Sequence, residues 1–293
     1  MWRGITYLLI TGCCWVGIAA VINMAARRHL NIGRVQLGSG IAGTFVAGIV
    51  MTFQSSFPVL SWQNGTMAAL LCAAGMGNFF MIKLMKVGME RGNSGAVWGI
   101  TQSALICPFL MGMFFFGVSL TWPRFVGIWL ILTAIMFFGR SKSTDCEKKG
   151  NWLVPTFGAF ALSGLAQCFA NLPSYWGLDS FGSIQRTFWG QAGLVVGFAI
   201  VWPFEKGKKS WQGTLPLIVI LTVVNIGALF FFFYRGLNLV ADAGCGSIGY
   251  PIAQGSCIAL FLLYSCFVLK ERFNKISALA LCCMILGIFI IAL

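Results

Sequence analysis

The chain has 293 residues, of which 58% are hydrophobic and 9% are charged, and its formal net charge is +13. Soluble domains carry about 25% charged residues, so this composition excludes an ordinary soluble enzyme and indicates a protein with many membrane spans. The Lys and Arg residues occur in short clusters between apolar runs, as they do beside membrane spans, so the positive charge does not indicate a nucleic-acid partner.

Apolar runs separated by short polar breaks follow one another along the chain, and each is about long enough to cross a bilayer as a helix. The first run is longer than the apolar region of a secretory signal peptide, so we interpret it as a permanent helix. The ten predicted spans are 5–25, 35–53, 66–88, 93–116, 121–139, 152–172, 183–202, 214–234, 245–269 and 275–292.

The chain is predicted to consist of two similar halves. Residues 1–139 form a first five-helix repeat, 140–151 a basic cytoplasmic connecting loop, and 152–293 a second repeat. Because each repeat has an odd number of spans, the second enters the membrane upside down, and the expected fold is an all-α 5+5 inverted repeat, as in many transporters. A shift of 152 residues pairs several scarce side chains: Trp98 with Tyr250, Gln102 with Gln254, Lys83 with Arg235, and Glu90 with Asp242.

The distribution of basic residues predicts the orientation. With these spans, most Lys and Arg residues fall in the loops of one side, whereas Arg3, Arg124, Arg186 and Arg235 fall on the other. The positive-inside rule places the first side in the cytoplasm and both termini outside. We therefore expect a multi-pass protein of the plasma (inner) membrane.

Motifs for metal binding, catalysis or ATP hydrolysis are absent from the sequence. The eleven Cys residues lie mostly in apolar runs without a C-x-x-C pair, and His29 is the only His, so no zinc set can be assembled. No phosphate-binding G-x-x-x-x-G-K-[ST] occurs, and nothing resembles the charged rings or filter loop of a channel. We expect neither an enzyme nor a cofactor.

Two paired side chains in spans four and nine are the main candidates for solute binding. Trp98 and Gln102 lie one helical turn apart near mid-bilayer, and Tyr250 and Gln254 repeat the arrangement. A polar side chain at this depth costs free energy unless it has a partner. An amide beside an aromatic ring suits a polyhydroxylated or amphipathic ligand. The alternative is that the two Gln side chains bond each other and lock the halves together.

Four further side chains are predicted to face the same cavity. Asn78 and Asn225 lie near mid-span in spans three and eight, and Trp15 and Gln167 lie in spans one and six. Close packing beside glycines is the alternative explanation for the two Asn residues, and plain packing is the alternative for Trp15.

Charged residues at span ends are candidates for gating or ion coupling. We hypothesise that Lys83 and Arg235 act as gates or attract anions, the alternative being interfacial anchoring. Glu90 and Asp242 are candidates for a proton or sodium relay, although helix capping or ion pairing would also explain them. No carboxylate lies well inside a predicted span, so coupling to an ion stays open.

Two segments are similar to a known family. Span three contains Gly75-Met76-Gly77-Asn78, and span nine contains Gly249-Tyr250-Pro251-Ile252-Ala253-Gln254-Gly255, followed by Leu269-Lys270-Glu271-Arg272. This pattern resembles the EamA-like drug/metabolite transporter superfamily, most closely its glucose/ribose porter and rhamnose–proton symporter branch. The first repeat departs from it, with Gly117-Val118-Ser119 in place of the acidic helix end.

The resemblance implies a secondary transporter that moves a monosaccharide or related polyol by alternating access of two inverted halves. Two alternatives stay open at this point. The wider superfamily also exports amino acids and other metabolites, and a membrane scaffold or helper subunit would need no transport of its own.

Overall fold

The computed structural model describes residues 1–54, 61–117, 121–140, 151–176, 181–204, 211, 213–241, 243, 249–271 and 275–291. Within these ranges the regular structure is entirely helical. The helices are α1 Trp2–Arg27, α2 Ile32–Phe53, α3 Trp62–Arg91, α4 Ser94–Phe116, α5 Trp122–Arg140, α6 Leu153–Tyr175, α7 Ser183–Val201, α8 Leu215–Val240, α9 Gly249–Phe267 and α10 Lys275–Ile291.

Eight of the described helices are long and apolar enough to cross a membrane, and the apolar stretches of α5 (Trp122–Phe137) and α10 (Ala278–Ile290) are shorter. The expectation of an all-α, multi-pass membrane protein is therefore confirmed. The crossing of ten spans in two inverted repeats stays a prediction.

Local sequence signals explain several helix ends. The side chains of Asn31, Ser61 and Asn93 precede α2, α3 and α4 and accept hydrogen bonds from backbone N–H groups of the first turns. The C-terminal end of α4 is followed by Gly117, whose φ of 67° lies in the left-handed region that favours glycine. These caps satisfy backbone groups that have no partner within the helix.

Two of the helices are irregular. In α4 a 3₁₀ turn at Ser103–Leu105 precedes Pro108, which has no backbone N–H to continue the α-helical hydrogen-bond ladder. In α8 the segment Ala228–Phe233 is a π-helix, a widening that often occurs at functional sites. Side chains from both helices line the cavity described below.

Glycine allows α3 and α7 to cross closely. A Cβ atom placed on Gly75 would overlap the carbonyl oxygen of Gly190, and one placed on Gly193 would overlap the carbonyl oxygen of Cys72. Small residues at such crossings bring backbones close together in membrane proteins, where lipid offers no hydrophobic driving force between helices. This close crossing places α3 and α7 side by side at the wall of the cavity.

Candidate functional site

A cavity of about 250 Å³ lies among α1, α2, α3, α4, α6, α7, α8 and α9. The structure brings all eight predicted solute-binding residues to its wall. Two of the residues are on α4, two on α9, and the other four on α1, α3, α6 and α8: Trp98, Gln102, Tyr250, Gln254, Trp15, Asn78, Gln167 and Asn225. Their juxtaposition is thus observed, and their role in binding stays a prediction.

Amide side chains dominate the polar part of the wall. Among the described residues that line the cavity, the only one with a permanent charge is Arg186, and the lining includes no carboxylate. The amides are Gln36, Asn78, Gln102, Gln167, Gln191, Asn225 and Gln254. Such a wall offers both donors and acceptors without the counter-charge that a lipophilic cation would need.

The amide of Gln254 on α9 is held by hydrogen bonds from α6. Gln254 Nε2 donates to Gln167 Oε1 at 3.2 Å, and Gln167 Nε2 donates to Ser163 Oγ at 3.0 Å. One turn away, Tyr250 OH donates to Asn171 Oδ1 at 2.7 Å. Both members of the α9 pair are therefore fixed by a row of polar side chains on one face of α6.

The pair on α4 has a different environment. The Trp98 side chain is 2% exposed and packs on Phe261, with the ring centroids 5.5 Å apart. The side chain of Gln102 is partly exposed and makes no hydrogen bond with a described residue. The alternative of a direct Gln102–Gln254 bond is not the arrangement seen, because Gln254 bonds Gln167.

Aromatic rings form the apolar part of the wall. Phe233 packs against Trp15 at 5.1 Å and against Tyr250 at 5.3 Å between ring centroids. The sequence analysis did not single out Phe233, because Phe is abundant in this chain. A solute in the cavity would meet both these rings and the amides.

Of the four residues predicted to act in gating or coupling, the three that the structure describes do not line the cavity. Lys83 Nζ lies 5.6 Å from the centroid of the Phe79 ring, and Arg235 is exposed. Glu90 pairs with Lys86 Nζ at 2.6 Å and lies 3.6 Å from His29 Nδ1. These contacts fit the ion-pairing alternative for Glu90. Asp242 lies outside the described residues.

Several lining residues were missed by the sequence analysis. Arg186 was counted only as a basic residue of the outer side, but its Nε donates to Phe181 O at 2.8 Å and its guanidinium lies 5.8 Å from the Tyr234 ring centroid. Gln36 and Gln191 are amides within apolar helices, the same signal that identified Gln102 and Gln254. Gln36 Nε2 donates to Phe79 O at 3.2 Å. Applying that signal to every span would have found them.

Three buried acceptor atoms belong to lining residues. Within the described part of the chain, the Oε1 atoms of Gln36, Gln191 and Gln254 accept no hydrogen bond, and their side chains are 0%, 4% and 3% exposed. A buried acceptor without a donor costs free energy, so each atom calls for a partner. These atoms have almost no accessible surface, so a donor in the cavity could reach them only after the side chains rearrange.

Comparison with known proteins identifies the fold and no family. Neither a protein-family model nor a curated protein matches the chain. Several solved structures match the chain. One of them, described only as the crystal structure of a protein, has a TM-score of 0.64 and 12% sequence identity over 98% of this chain and 95% of that one. At this identity the similarity shows a shared fold alone.

Proposed function

We propose that the chain is a secondary transporter of a small polar solute, with a monosaccharide or related polyol as the expected substrate. The observation that carries the proposal is the amide-rich cavity, whose wall contains all eight side chains selected from the sequence. The cavity volume is about 250 Å³. Pockets for drug-sized ligands have volumes of about 300–1,000 Å³, so this smaller cavity suits a small metabolite.

The chemistry of the wall supports a hydroxylated and uncharged solute. Amides can both donate to and accept from hydroxyl groups, and the aromatic rings of Trp15, Phe233 and Tyr250 can cover an apolar face. Amino acids would need a carboxylate or several carbonyl groups for the ammonium group, so their export is the second candidate.

The pattern of helix contacts supports two inverted halves. A shift of 152 residues assigns each helix of one half a counterpart in the other half. Three pairs of touching helices, α3–α6, α3–α7 and α4–α6, have the counterparts α8–α1, α8–α2 and α9–α1. These counterpart pairs are in contact as well. The helices α2, α4 and α5 each touch their own counterparts. Contacts of this kind are expected of a pseudo-twofold axis, about which the halves would rock.

Thermal stability of the detergent-purified protein with monosaccharides, polyols, amino acids and nucleosides tests the proposal. A solute at about 100 times its dissociation constant should stabilise the fold by about 2.7 kcal/mol. Gln254→Ala and Gln102→Ala should abolish the shift, whereas Gln63→Ala, an exposed amide of α3 away from the cavity, should keep it. Stabilisation by none of the sugars or polyols would contradict the proposed substrate class.

A further inference from the structure

The end of α9 meets the start of α4 through one carboxylate. Glu271 Oε2 accepts from Ser94 N at 3.1 Å and from Gly95 N at 3.4 Å, and its Oε1 accepts from Ser94 N at 3.2 Å. Ser265 Oγ, in the last turns of α9, also donates to Glu271 Oε2. In the sequence Glu271 was noted only as part of the segment that resembles the family, and it was not a candidate site residue.

The start of a helix is a favourable place for this carboxylate. The first N–H groups of a helix have no partner within it and carry a partial positive charge, so an anion there gains charge-assisted hydrogen bonds. Asn93 already supplies an acceptor to Ala96 N at 3.0 Å. Glu271 satisfies the two N–H groups before it, and the first turn of α4 therefore depends on both residues.

The backbone after α9 turns back to bring Glu271 to this position. Leu269 N donates to Tyr264 O at 3.2 Å and Glu271 N donates to Ser265 O at 3.1 Å. Between them Lys270 has a φ of 56°, a left-handed conformation that is uncommon for residues other than glycine. Such strain persists where the surrounding contacts require it, and it often marks a functional position.

A third helix joins the same contact. Asn23 Nδ2 on α1 donates to Ser94 Oγ at 2.6 Å, and both residues are buried. Arg27 Nη2, one turn further along α1, donates to Leu269 O at 3.5 Å. The contact therefore connects α1 and α4 of the first predicted half with the end of α9 from the second half.

We propose that Glu271, with Ser94, Gly95 and Ser265, forms a latch that keeps one end of the transport cavity closed and positions the α4 residues of the solute site. The inference rests on the proposed function for its role in transport. Trp98 is one turn and Gln102 two turns along α4 from Ser94, so the latch fixes the helix that presents both to the cavity. The positive-inside rule assigns this end to the cytoplasm.

The sequence provides this carboxylate at one end only. The counterpart of Glu271 under the 152-residue shift is Ser119, and the segment from Gly117 to Thr121 contains no acidic residue. Loss of the Glu271 charge should therefore favour the conformation that is open at the latch end. Glu271 acts in this way as a positioning residue, without contact to the solute.

Amide hydrogen exchange tests the latch without any solute. In Glu271→Gln, the amides of residues 93–98 should exchange about tenfold faster than in the wild type, because a charge-assisted hydrogen bond is lost. The control is Glu90→Gln, which removes a carboxylate paired with Lys86 on α3 and should leave these amides unchanged. Equal protection in Glu271→Gln and the wild type would overturn the proposal.

Ser265→Ala keeps the test decisive if Glu271→Gln does not fold. This variant removes one donor to the carboxylate and leaves its charge, so the same amides should exchange about threefold faster. Wild-type exchange in Ser265→Ala, together with a misfolded Glu271→Gln, would show that Glu271 is needed for folding and would overturn the latch.

Transport of labelled D-glucose into proteoliposomes separates a gate from a merely structural residue. Glu271→Gln should increase the fraction of protein that is open on the latch side and decrease the fraction open on the opposite side. The half-saturating concentration should therefore fall on the latch side and rise on the opposite side. A structural defect would reduce the maximal rate from both sides alike and would contradict the gate. If the wild type does not transport D-glucose, the proposed substrate fails, and hydrogen exchange still decides whether the latch exists.

Discussion

The aromatic–amide pairs of α4 and α9 match in sequence but differ in how they are held. Gln254 and Tyr250 are fixed by hydrogen bonds to Gln167 and Asn171 of α6. Gln102 has no such partner among the described residues. The proposed solute site therefore combines a preorganised α9 pair with an α4 pair in which the Gln102 side chain is free to adapt.

We attribute the difference to the residues of α1 and α6 that correspond in the two predicted repeats. Under the 152-residue shift, Gln167 of α6 corresponds to Trp15 of α1, and Asn171 corresponds to Ala19. The indole of Trp15 and the methyl group of Ala19 thus stand where α6 has amides. Neither can replace the amide hydrogen bonds that hold the α9 pair. A preorganised wall loses less conformational freedom when a solute binds, so most of the binding selectivity is expected on the α9 side.

The largest effect is expected when Trp15 of α1 is replaced by Gln, the residue type of its counterpart Gln167 on α6. Trp15→Gln removes an indole that packs on Phe233 and should cost about 2 kcal/mol of stability, less than full truncation of a buried aromatic residue. If the proposed pseudo-twofold relation holds, the new amide also lies opposite Gln102, as Gln167 lies opposite Gln254. In this background Gln102→Leu should become destabilising by about 0.6 kcal/mol, typical of interhelical hydrogen bonds in membranes.

Thermal or denaturant unfolding of the four proteins of this cycle measures the coupling. No coupling between the two positions would mean that the residue on α1 does not cause the difference.

A second prediction compares the two Gln residues directly. Gln254→Leu leaves Gln167 Oε1 without its donor and should cost about 1 kcal/mol, whereas Gln102→Leu in the wild type loses no hydrogen bond and should be close to neutral. The shape of the side chain is similar in both variants, so each serves as the control for the other. Equal loss of melting temperature would contradict the asymmetry.

The smallest expected effect concerns the aromatic residues. Tyr250→Phe removes the hydroxyl that donates to Asn171 and should cost about 0.6 kcal/mol. In a double-mutant cycle with Asn171→Ala, most of this cost should disappear, because the partner is already gone. The control is Tyr264→Phe, whose ring stacks on Phe261 away from the cavity. Full additivity of the two substitutions would show that the hydrogen bond contributes nothing.

The sequence predicted the parts of the structure that follow from the apolar environment. Helices coincide with the apolar runs, and side chains such as Gln102 and Asn78 lie at one cavity because polar groups at mid-bilayer depth avoid lipid. The same argument extends to Gln36 and Gln191. Helix ends were less accurate: α3 runs from Trp62 to Arg91 because charged residues at the interface continue a helix beyond its apolar part.

Other features depend on packing between distant segments. The hydrogen bonds of Gln254 require α6 to lie opposite α9, and the position of Glu271 requires the left-handed turn at Lys270. Neither relation is visible in local periodicity or composition. Arg186 was counted only as a basic residue of the outer side, because charge at a span end normally reaches the interface. In the structure its guanidinium is held against Phe181 O and the Tyr234 ring.

The π-helical segment Ala228–Phe233 changes the register of α8 relative to α3. A π segment accommodates about one residue more per turn than an α-helix, and one extra residue rotates everything after it by about 100° around the axis. Lys83 and Arg235 correspond in sequence, yet Lys83 is half-buried against Phe79 and Arg235 is exposed. The wide turn absorbs that extra residue, so deletion of one residue from the segment would leave Arg235 on its present face. In an unbroken α-helix of unchanged length, Arg235 would instead lie about 100° away around the axis.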